Sequence, residues 1–320
     1  MSDLIDLHAT ASVRARRRIA PMIFETPLLP SRALGEKHGC DLHFKAENFQ
    51  RTGSFKMRGA ASKMTALDGG QKLITASSGN HGIASSRAAS LTDQHLTVVL
   101  PETVAKVKLD KIRSYNVETI LHGSESGKAE TYAQSLAATG EYVYVSPYND
   151  ADVIAGQGTI GLELSEQAPR IDNVFISMGG GGLISGIGAV LKSFGSGTRI
   201  IGVAAENSAA LAASMAVGSV VETQHFDTLA DGIAGGMDAD SLTFPISMEV
   251  VDQVILCSEA DISNALRDLA QEENMLVEGA AALALAGFKQ MSSQCADQTS
   301  VVLLCGANFD WETINPHVFG

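Results

Sequence analysis

The stretch NVFISMGGGGLISGIGAVLK, residues 173–192, decides the fold class. Its β-branched start predicts a strand over Asn173 to Ser177, and its far end has the composition of a helix over Ile184 to Lys192. Between them lie Gly179 to Gly182 and Leu183, a turn whose backbone amides can close around a phosphate beside the positive end of the helix dipole. Glycines there also allow tight packing of helix on strand. No Gly-Lys-Ser/Thr of a Walker loop follows, and a glycine run matches the dinucleotide pattern G-x-G-x-x-G only trivially.

The same alternation of short β-branched runs and alanine-rich stretches extends along the chain, which is typical of βαβ units and mostly parallel sheets. Further strands are predicted over Leu73 to Ala76, Leu96 to Leu100, Glu118 to Leu121, Tyr142 to Ser146, Ile200 to Ala204, Gln253 to Cys257 and Ser300 to Cys305. Further helices are predicted over Ile83 to Ala89, Ala105 to Ser114 and Gly127 to Ala138. We therefore expect an α/β fold.

The length of the chain predicts two lobes. With 320 residues and 45% hydrophobic content, the chain exceeds the usual size of a single core. A strand ends in the turn-forming residues Ser146 to Asp150, and an earlier crossover is expected near Asn48. We expect residues 1–47 and 148–320 to form a large domain, and residues 48–147 to form a smaller inserted α/β domain.

Charge and composition exclude several classes of protein. The formal net charge of −13 argues against a nucleic-acid-binding surface, and the short basic cluster Arg14 to Arg18 suits a helix face. No apolar run approaches the roughly 20 residues needed to span a bilayer, so no membrane association is expected. The cysteines lack the spacing of a metal site, which predicts reduced thiols in a cytoplasmic protein; they are Cys40, Cys257, Cys295 and Cys305.

A second turn, Ser77-Ser78-Gly79-Asn80-His81-Gly82, directly follows a predicted strand and opens a helix. Such a turn presents backbone N–H groups and the positive end of the helix to an anion, and its serine hydroxyls add donors. The same pattern also suits a simple helix N-cap formed by Ser78 or Asn80. The two interpretations are compatible with each other.

Lys56 lies in the run Gly53-Ser54-Phe55-Lys56-Met57-Arg58-Gly59-Ala60, between small residues and the aromatic ring of Phe55. This setting suits an amine that attacks an aldehyde to form an imine. Most lysines, however, are solvated surface charges. The two anion-binding turns elsewhere in the chain favour the imine-forming interpretation of Lys56.

These motifs together resemble the pyridoxal-phosphate enzymes of the tryptophan-synthase-β fold, specifically the serine/threonine dehydratase and serine racemase family. The resemblance spans nearly the whole chain and includes a further motif, Cys305-Gly306-Ala307-Asn308. It implies fold type II, in which two open, mostly parallel twisted sheets are flanked by helices. It also implies pyridoxal 5'-phosphate as cofactor, an amino acid as substrate and a homodimer as the assembly.

The resemblance assigns each motif a role. Lys56 would hold the cofactor as a Schiff base, Phe55 would lie near its ring, and Asn80 would hydrogen-bond its 3-oxygen. Gly179 to Gly182 and the Leu183 amide would bind its phosphate. The turn that would receive the substrate carboxylate consists of Ser77, Ser78, Gly79, Asn80 and His81.

Cys305 occupies the position where this family places a small side chain against the pyridine nitrogen. An unperturbed thiol has a pKa of about 8.5 and is a weak donor, so we expect the ring to stay neutral. A neutral ring is a poorer electron sink and favours reactions in which a β leaving group departs promptly. Judged without the other motifs, Cys305 would simply be a small apolar residue in a buried strand.

The expected activity is that of an ammonia-lyase, which removes water and ammonia from L-threonine or L-serine to give a 2-oxo acid. Lys56 would act as the general base. Ser78 aligns with the residue that serves racemases on the opposite ring face, so racemisation is the close alternative. A threonine-synthase-like replacement enzyme shares the fold, and a non-catalytic nucleotide-binding module would use the same glycine turns without needing Lys56.

Two departures from the family pattern affect these expectations. Ala204 and Ala210 stand where metal-using relatives carry carboxylates, and Glu206 suits a solvated side chain, so we predict no divalent metal there. Gly235 follows Ala234 at the place where relatives carry a bulkier aliphatic residue, and the pair Gly235-Gly236 either enlarges the side-chain pocket or forms a flexible turn. A larger substrate, such as a hydroxyaspartate, a phenylserine or a hydroxyectoine-derived amino acid, is therefore an alternative. The acidic residue Glu278 also matches a family position, without an assigned role.

Overall fold

The computed structural model describes residues 2–195 and 197–319. The strands are β1 (Leu28–Pro30), β2 (Asp41–Lys45), β3 (Lys72–Ala76), β4 (His95–Leu100), β5 (Glu118–Leu121), β6 (Val143–Tyr144), β7 (Asn173–Ser177), β8 (Arg199–Ala205), β9 (Gln253–Cys257) and β10 (Thr299–Leu303). The helices are α1 (Asp3–Ile19), α2 (Leu34–His38), α3 (Lys56–Ala66), α4 (Asn80–Thr92), α5 (Lys106–Arg113), α6 (Ser126–Ala138), α7 (Ala151–Gln167), α8 (Gly182–Ser193), α9 (Ala210–Val217), α10 (Thr243–Val250), α11 (Glu259–Gln271), α12 (Gly279–Met291) and α13 (Trp311–Phe319). Short 3-10 turns lie at Glu47–Phe49, Asp231–Ile233 and Ser292–Gln294.

The strands form two separate open sheets. A six-stranded sheet has the order β1-β2-β10-β7-β8-β9, and a four-stranded sheet has the order β5-β4-β3-β6. All pairs are parallel except β1 with β2. The predicted α/β class with two mostly parallel sheets is therefore confirmed. In the part of the chain that the structure describes, no helix combines the length and apolar character needed to cross a membrane.

The predicted strands and helices are present, with ends shifted by a few residues, but β1, β2 and several helices, among them α1, α3 and α7, lie outside the predicted ranges. β1 has only three residues and ends in proline, which gives no periodic signal. β2 alternates between buried Leu42 and Phe44 and the more accessible Asp41 and His43, a pattern of period two that is detectable in the sequence. The buried Lys45 at its end hides the signal, because lysine is rarely buried.

The carboxyl ends of the strands gather the predicted motifs. The glycine turn follows β7, and Cys305 follows β10, its neighbour in the six-stranded sheet. In the four-stranded sheet, the turn that starts at Ser77 follows β3, while Pro147 lies beyond the adjacent β6. Crevices at the carboxyl ends of parallel strands are the usual ligand sites of open α/β sheets. The four-stranded sheet draws its strands from residues 72–144 alone, while the other sheet takes strands from both sides of that segment.

A buried cluster of charges ties the start of α3 to its surroundings. The Arg58 guanidinium donates to Glu47 through Nε and Nη2, both at 2.8 Å, and to Glu163 through Nη1 at 2.6 Å and Nη2 at 2.8 Å. Lys45 Nζ also donates to Glu163. None of these four side chains is more than 3% exposed. Two cations and two anions thus balance one another away from water.

Replacing Arg58 with methionine should strongly destabilise the fold. The Glu47 carboxylate would lose its cation, and Glu163 would keep only Lys45. Breaking a buried ion pair by removing one partner typically lowers the free energy of unfolding by about 3–5 kcal/mol. Arg16→Met is the matched control, because Arg16 pairs with Glu166 at the surface, where such a pair contributes about 1 kcal/mol or less. Urea titrations of both variants test this, and equal losses would contradict it.

Candidate active site

Lys56 is the first residue of α3, and its amine reaches the segment that follows β6. Lys56 Nζ donates to the Pro147 carbonyl oxygen at 2.8 Å and lies 5.2 Å from the ring centroid of Phe55. Burial lowers the pKa of this amine to about 8, although negative charge on Cys305 and Glu278 would oppose that shift. In the described residues no carboxylate forms an ion pair with it. A pKa of about 8 leaves about a tenth of Lys56 as an uncharged nucleophile at pH 7, whereas an ordinary lysine is almost fully protonated there.

The glycine turn after β7 is enclosed so tightly that side chains would not fit. A Cβ atom on Gly179 would lie 2.6 Å from the Ile233 carbonyl oxygen, and one on Gly180 would lie 2.6 Å from the Tyr148 ring. Gly181 has a φ of +86°, a conformation that favours glycine. Because α8 begins at Gly182, the first amides of that helix have no intrahelical carbonyl partner. The turn is a cup of backbone donors that can take an anion.

Residues 147–149 connect this cup to Lys56. The Pro147 carbonyl oxygen accepts a hydrogen bond from Lys56 Nζ. The side-chain ring of the following residue, Tyr148, packs against Gly180. The Tyr148 hydroxyl in turn accepts from the Asp238 backbone N–H at 2.8 Å. The amine and the anion cup are thus held on either side of one short segment.

The turn that opens α4 does not have the simple capping arrangement. Gly79 is the N-cap residue, and its amide donates to Ser77 Oγ at 3.2 Å. Asn80 is the first helical residue, and its side chain points to Glu278 rather than capping the helix. A Cβ atom on Gly82 would lie 1.9 Å from the Ser77 carbonyl oxygen, so glycine is required for the chain to turn here. Ser78 is half-buried within this turn.

The His81 imidazole lies beneath the turn and not on its ligand face. Its Nε2 atom lies 3.0 Å from both Thr75 Oγ1 and the Val145 carbonyl oxygen. Burial, together with the positive charge of Lys56, lowers the pKa of His81 to about 3, so the ring is neutral. Only the backbone of His81 remains for the carboxylate-binding role predicted from the sequence.

Glu278 connects the remaining predicted residues. Its carboxylate accepts from Asn80 Nδ2 at 2.8 and 3.1 Å and from the Asn308 backbone N–H at 3.0 Å. Cys305 Sγ lies 3.9 Å from Glu278 Oε1. Burial raises the pKa of the Glu278 carboxyl to about 7, and burial also raises the pKa of the Cys305 thiol. The thiol therefore stays protonated.

Sequence reasoning gave no role to three residues that the structure places in this site. The sequence identifies Tyr148 only as part of a turn, Glu278 only as a family acidic position, and Asn308 only as the end of a motif. Their hydrogen bonds and sulfur contact join residues 27 to 256 positions apart, which no local pattern reveals. One signal was available for Glu278, since an acidic residue amid the apolar run from Gly279 onward needs a buried partner.

The structure also shows the environment of the position where metal-using relatives carry carboxylates, and that of the paired glycines. Ala204 and Ala210 are buried, and the Glu206 side chain is exposed. Across residues 2–195 and 197–319, no cluster of three or more His, Cys, Asp or Glu side chains is arranged to hold a metal ion. Gly235 has a φ of +132° and open space where a Cβ would lie, so its backbone conformation rather than close packing requires glycine. A Cβ on Gly236 would meet only His225 Nε2, at 3.8 Å.

The donor set fits a cofactor that carries an aldehyde and a phosphate. Lys56 is an amine of lowered pKa beside an aromatic side chain, and the glycine cup brings side-chain-free backbone to the first amides of α8, which can bind a phosphate. Both features match pyridoxal phosphate, which needs an imine-forming lysine and convergent backbone donors.

Comparisons with known proteins agree with this assignment. Residues 19–306 match the family described as pyridoxal-phosphate dependent enzymes. The L-threonine dehydratase catabolic TdcB of Escherichia coli strain K12 is 34% identical over 308 residues, covering 95% of this chain and 93% of the relative. The processed form of threonine deaminase isoform 2 from Solanum lycopersicum superposes with a TM-score of 0.92 at 30% identity, covering 99% and 93% of the two chains. Maize serine racemase gives a TM-score of 0.87 at 29% identity, covering 96% and 97%.

These matches confirm the resemblance predicted from the motifs, and with it the cofactor. The chain belongs to the pyridoxal-phosphate-dependent enzymes of fold type II, in the family of threonine dehydratases and serine racemases.

Proposed function

We propose that this enzyme is a lyase that removes water and ammonia from a β-hydroxy-α-amino acid, with L-threonine and L-serine as the leading substrates. The observation that carries the proposal is the Lys56 amine, which has a lowered pKa and is joined to the glycine cup through residues 147–148. Lys56 would attach the cofactor covalently, and Phe55 would lie beside its ring. The amides of Gly179 to Gly182 and Leu183 would hold its phosphate.

Pyridoxal phosphate, when bound, would supply the electron withdrawal that makes the substrate α-proton removable and allows the β-hydroxyl to leave. The protein residues would provide the rest. Lys56 Nζ would accept the α-proton as general base. The backbone donors of Ser77 to His81 orient the substrate carboxylate at the start of α4. One water leaves and one is taken up when the released imino acid hydrolyses, so the products are a 2-oxo acid and ammonia.

Cys305 supports elimination over reactions that need a long-lived carbanion. Its thiol is buried and protonated, because burial raises its pKa, and it is a weak hydrogen-bond donor. A pyridine nitrogen placed beside such a group would stay neutral, which would limit electron withdrawal. Racemisation is the second candidate, since the half-buried Ser78 lies in the same turn as Asn80, where it can serve as the acid or base on the opposite face.

The other predicted properties belong to this proposal as well. We infer a division into residues 1–47 with 148–320 and residues 48–147, which is supported by the confinement of the four-stranded sheet to residues 72–144. We infer a homodimer located in the cytoplasm. The four cysteines are free thiols, in keeping with a reducing compartment.

Replacing Lys56 with alanine should abolish the absorbance of the covalently bound cofactor together with turnover, because the only imine-forming amine of the site is removed. Lys63→Ala is the matched control: Lys63 lies on the same helix but pairs with Asp150 at 2.6 Å. That control should keep both signals. The test is to measure absorbance spectra and 2-oxo acid release on both purified variants. An active Lys56→Ala variant would contradict the role of Lys56 as the cofactor-binding lysine.

A substrate panel with chiral analysis should separate elimination from racemisation. We expect 2-oxo acid release from L-threonine and L-serine to exceed formation of the D-enantiomers. In the variant Ser78→Ala, racemisation should fall by about 100-fold or more, the usual contribution of a general acid or base, while elimination persists. Faster turnover of hydroxyaspartate, phenylserine or a hydroxyectoine-derived amino acid would reassign the substrate, and D-enantiomer formation in excess of 2-oxo acid would favour the racemase.

Dialysis against a chelator should leave the activity unchanged. Ala204 and Ala210 offer no side-chain oxygen, and Glu206 alone cannot supply the six to eight oxygen ligands that calcium needs. Activity would be followed before and after EDTA treatment and after addition of magnesium or calcium. Loss of activity with EDTA and recovery with either ion would show that the enzyme uses a divalent metal, which would contradict the prediction.

A further inference from the structure

Glu278 is a buried carboxylate whose contacts are all neutral donors. It occupies the N-cap position of α12 and is 3% exposed. Oε1 accepts from Asn80 Nδ2 and lies near Cys305 Sγ, while Oε2 accepts from Asn80 Nδ2 and from the Asn308 backbone N–H. A carboxylate with four such contacts and no cationic partner in the described ion pairs is costly to bury. Its position therefore calls for a functional reason.

A directed chain of hydrogen bonds runs from Thr52 to Glu278. Asn308 Nδ2 donates to the Thr52 carbonyl oxygen at 2.8 Å and to Asn80 Oδ1 at 2.6 Å. Asn80 Nδ2 then donates to Glu278 at 2.8 Å. The Thr52 carbonyl can only accept, and so can an ionised carboxylate. Because both ends are acceptors, neither amide can flip without placing two like groups against each other.

We propose that Glu278 is a positioning residue of the cofactor site, which fixes the side-chain amide of Asn80 through its ionised carboxylate. The inference rests on the proposed function, in which Asn80 hydrogen-bonds the ring oxygen of the cofactor. An Asn80 amide that could rotate would present its carbonyl oxygen to that oxygen in part of the molecules. Glu278 removes this alternative, so that Asn80 is held ready as a donor.

Only a carboxylate satisfies all four contacts. A glutamine would keep one acceptor but direct its own N–H₂ group at Asn80 Nδ2 or at the Asn308 amide, which sets donor against donor. The charge state of Glu278 matters for the same reason, since protonation converts one acceptor oxygen into a donor. Glu278 is thus required as an anion even though burial disfavours it.

Ionisation of Glu278 falls within the physiological pH range. Burial raises its pKa to about 7; the bonds from Asn80 and the Asn308 amide lower the pKa, Asp231 raises it further, and Lys56 lowers it. The Cys305 thiol, itself of raised pKa, is neutral at this pH. As the pH falls through about 7, the carboxylate gains a proton and keeps only one full acceptor oxygen, which weakens its hold on Asn80. Cofactor affinity should weaken in that direction.

The test compares Glu278→Gln with Glu273→Gln. Glu273 is a matched control because it is 1% exposed and accepts from Ser31 Oγ and from the backbone amides of Arg32 and Leu34, away from the site. For each protein, pyridoxal phosphate would be titrated into the apoenzyme between pH 5.5 and 8.5, following its bound absorbance, and the spectrum of the holoenzyme would be recorded over the same range.

The wild type should show a spectral step and a rise in Kd as the pH falls through about 7. Glu278→Gln should lack the step, and its Kd at pH 8 should be about 10- to 100-fold higher, the usual effect of losing a hydrogen bond to a charged group. Glu273→Gln should match the wild type in both respects even if it is less stable. Glu278→Asp, which keeps a titrating carboxylate, should retain a step, and it provides the test if the glutamine variant does not fold.

Each contrary outcome has a distinct meaning. A wild-type protein that does not bind pyridoxal phosphate would refute the proposed function itself. A wild type that binds, with Glu278→Gln giving the same Kd and the same step, would overturn only the role of Glu278. Equal changes in Glu278→Gln and Glu273→Gln, or a Glu278→Asp spectrum without a step, would overturn it too, because the effect would then reflect general destabilisation.

Discussion

The buried pairing of Arg58 with Glu47 and Glu163 is the constraint from which the geometry of the site follows. These residues belong to three different segments: helix α3, the 3-10 turn at Glu47–Phe49, and helix α7. Separating a buried ion pair leaves an uncompensated charge away from water, which is strongly destabilising. The three segments therefore cannot slide relative to one another. Lys56 lies two residues before Arg58 on the same helical turn, so its position is fixed by this pairing.

Close contacts between the backbones of helices α3, α7 and α8 fix the position of the anion cup relative to Lys56. Helices α3 and α7 meet where a Cβ on Gly156 would lie 2.6 Å from Gly59 Cα. Helices α7 and α8 meet where a Cβ on Gly186 would lie 2.6 Å from Gly158 N. Helix α8 starts at the cup, and α3 starts at Lys56. A single stack of three helices thus sets the spacing between amine and phosphate donors, and any larger residue in it would change that spacing.

Much of this could be predicted from the sequence, because the signals are local. The glycine run after a β-branched stretch indicates a strand-to-helix turn, and the alternation of such units indicates parallel sheets. The partners of the charged residues could not be predicted. Arg58 is a residue of the motif around Lys56, yet nothing nearby identifies Glu163, which is 105 positions away. The burial of the His81 ring could not be predicted either. A histidine in an anion-binding turn suggests a ligand-binding side chain, and only the structure shows its contacts with Thr75 and Val145.

Burial brings the pKa values of the Lys56 amine and the Glu278 carboxyl closer together. It lowers the pKa of the Lys56 amine to about 8 and raises that of the Glu278 carboxyl to about 7. Groups shifted in this way can gain or lose protons near neutral pH, whereas an ordinary lysine and glutamate are both fully charged there. The two are not paired directly, since Lys56 donates to Pro147 while Glu278 is bound by amides. Had they formed a close ion pair, mutual attraction would have stabilised both charges and removed the free amine that a Schiff-base lysine needs. The different hydrogen-bond partners of the amine and the carboxylate are therefore themselves a requirement of the chemistry.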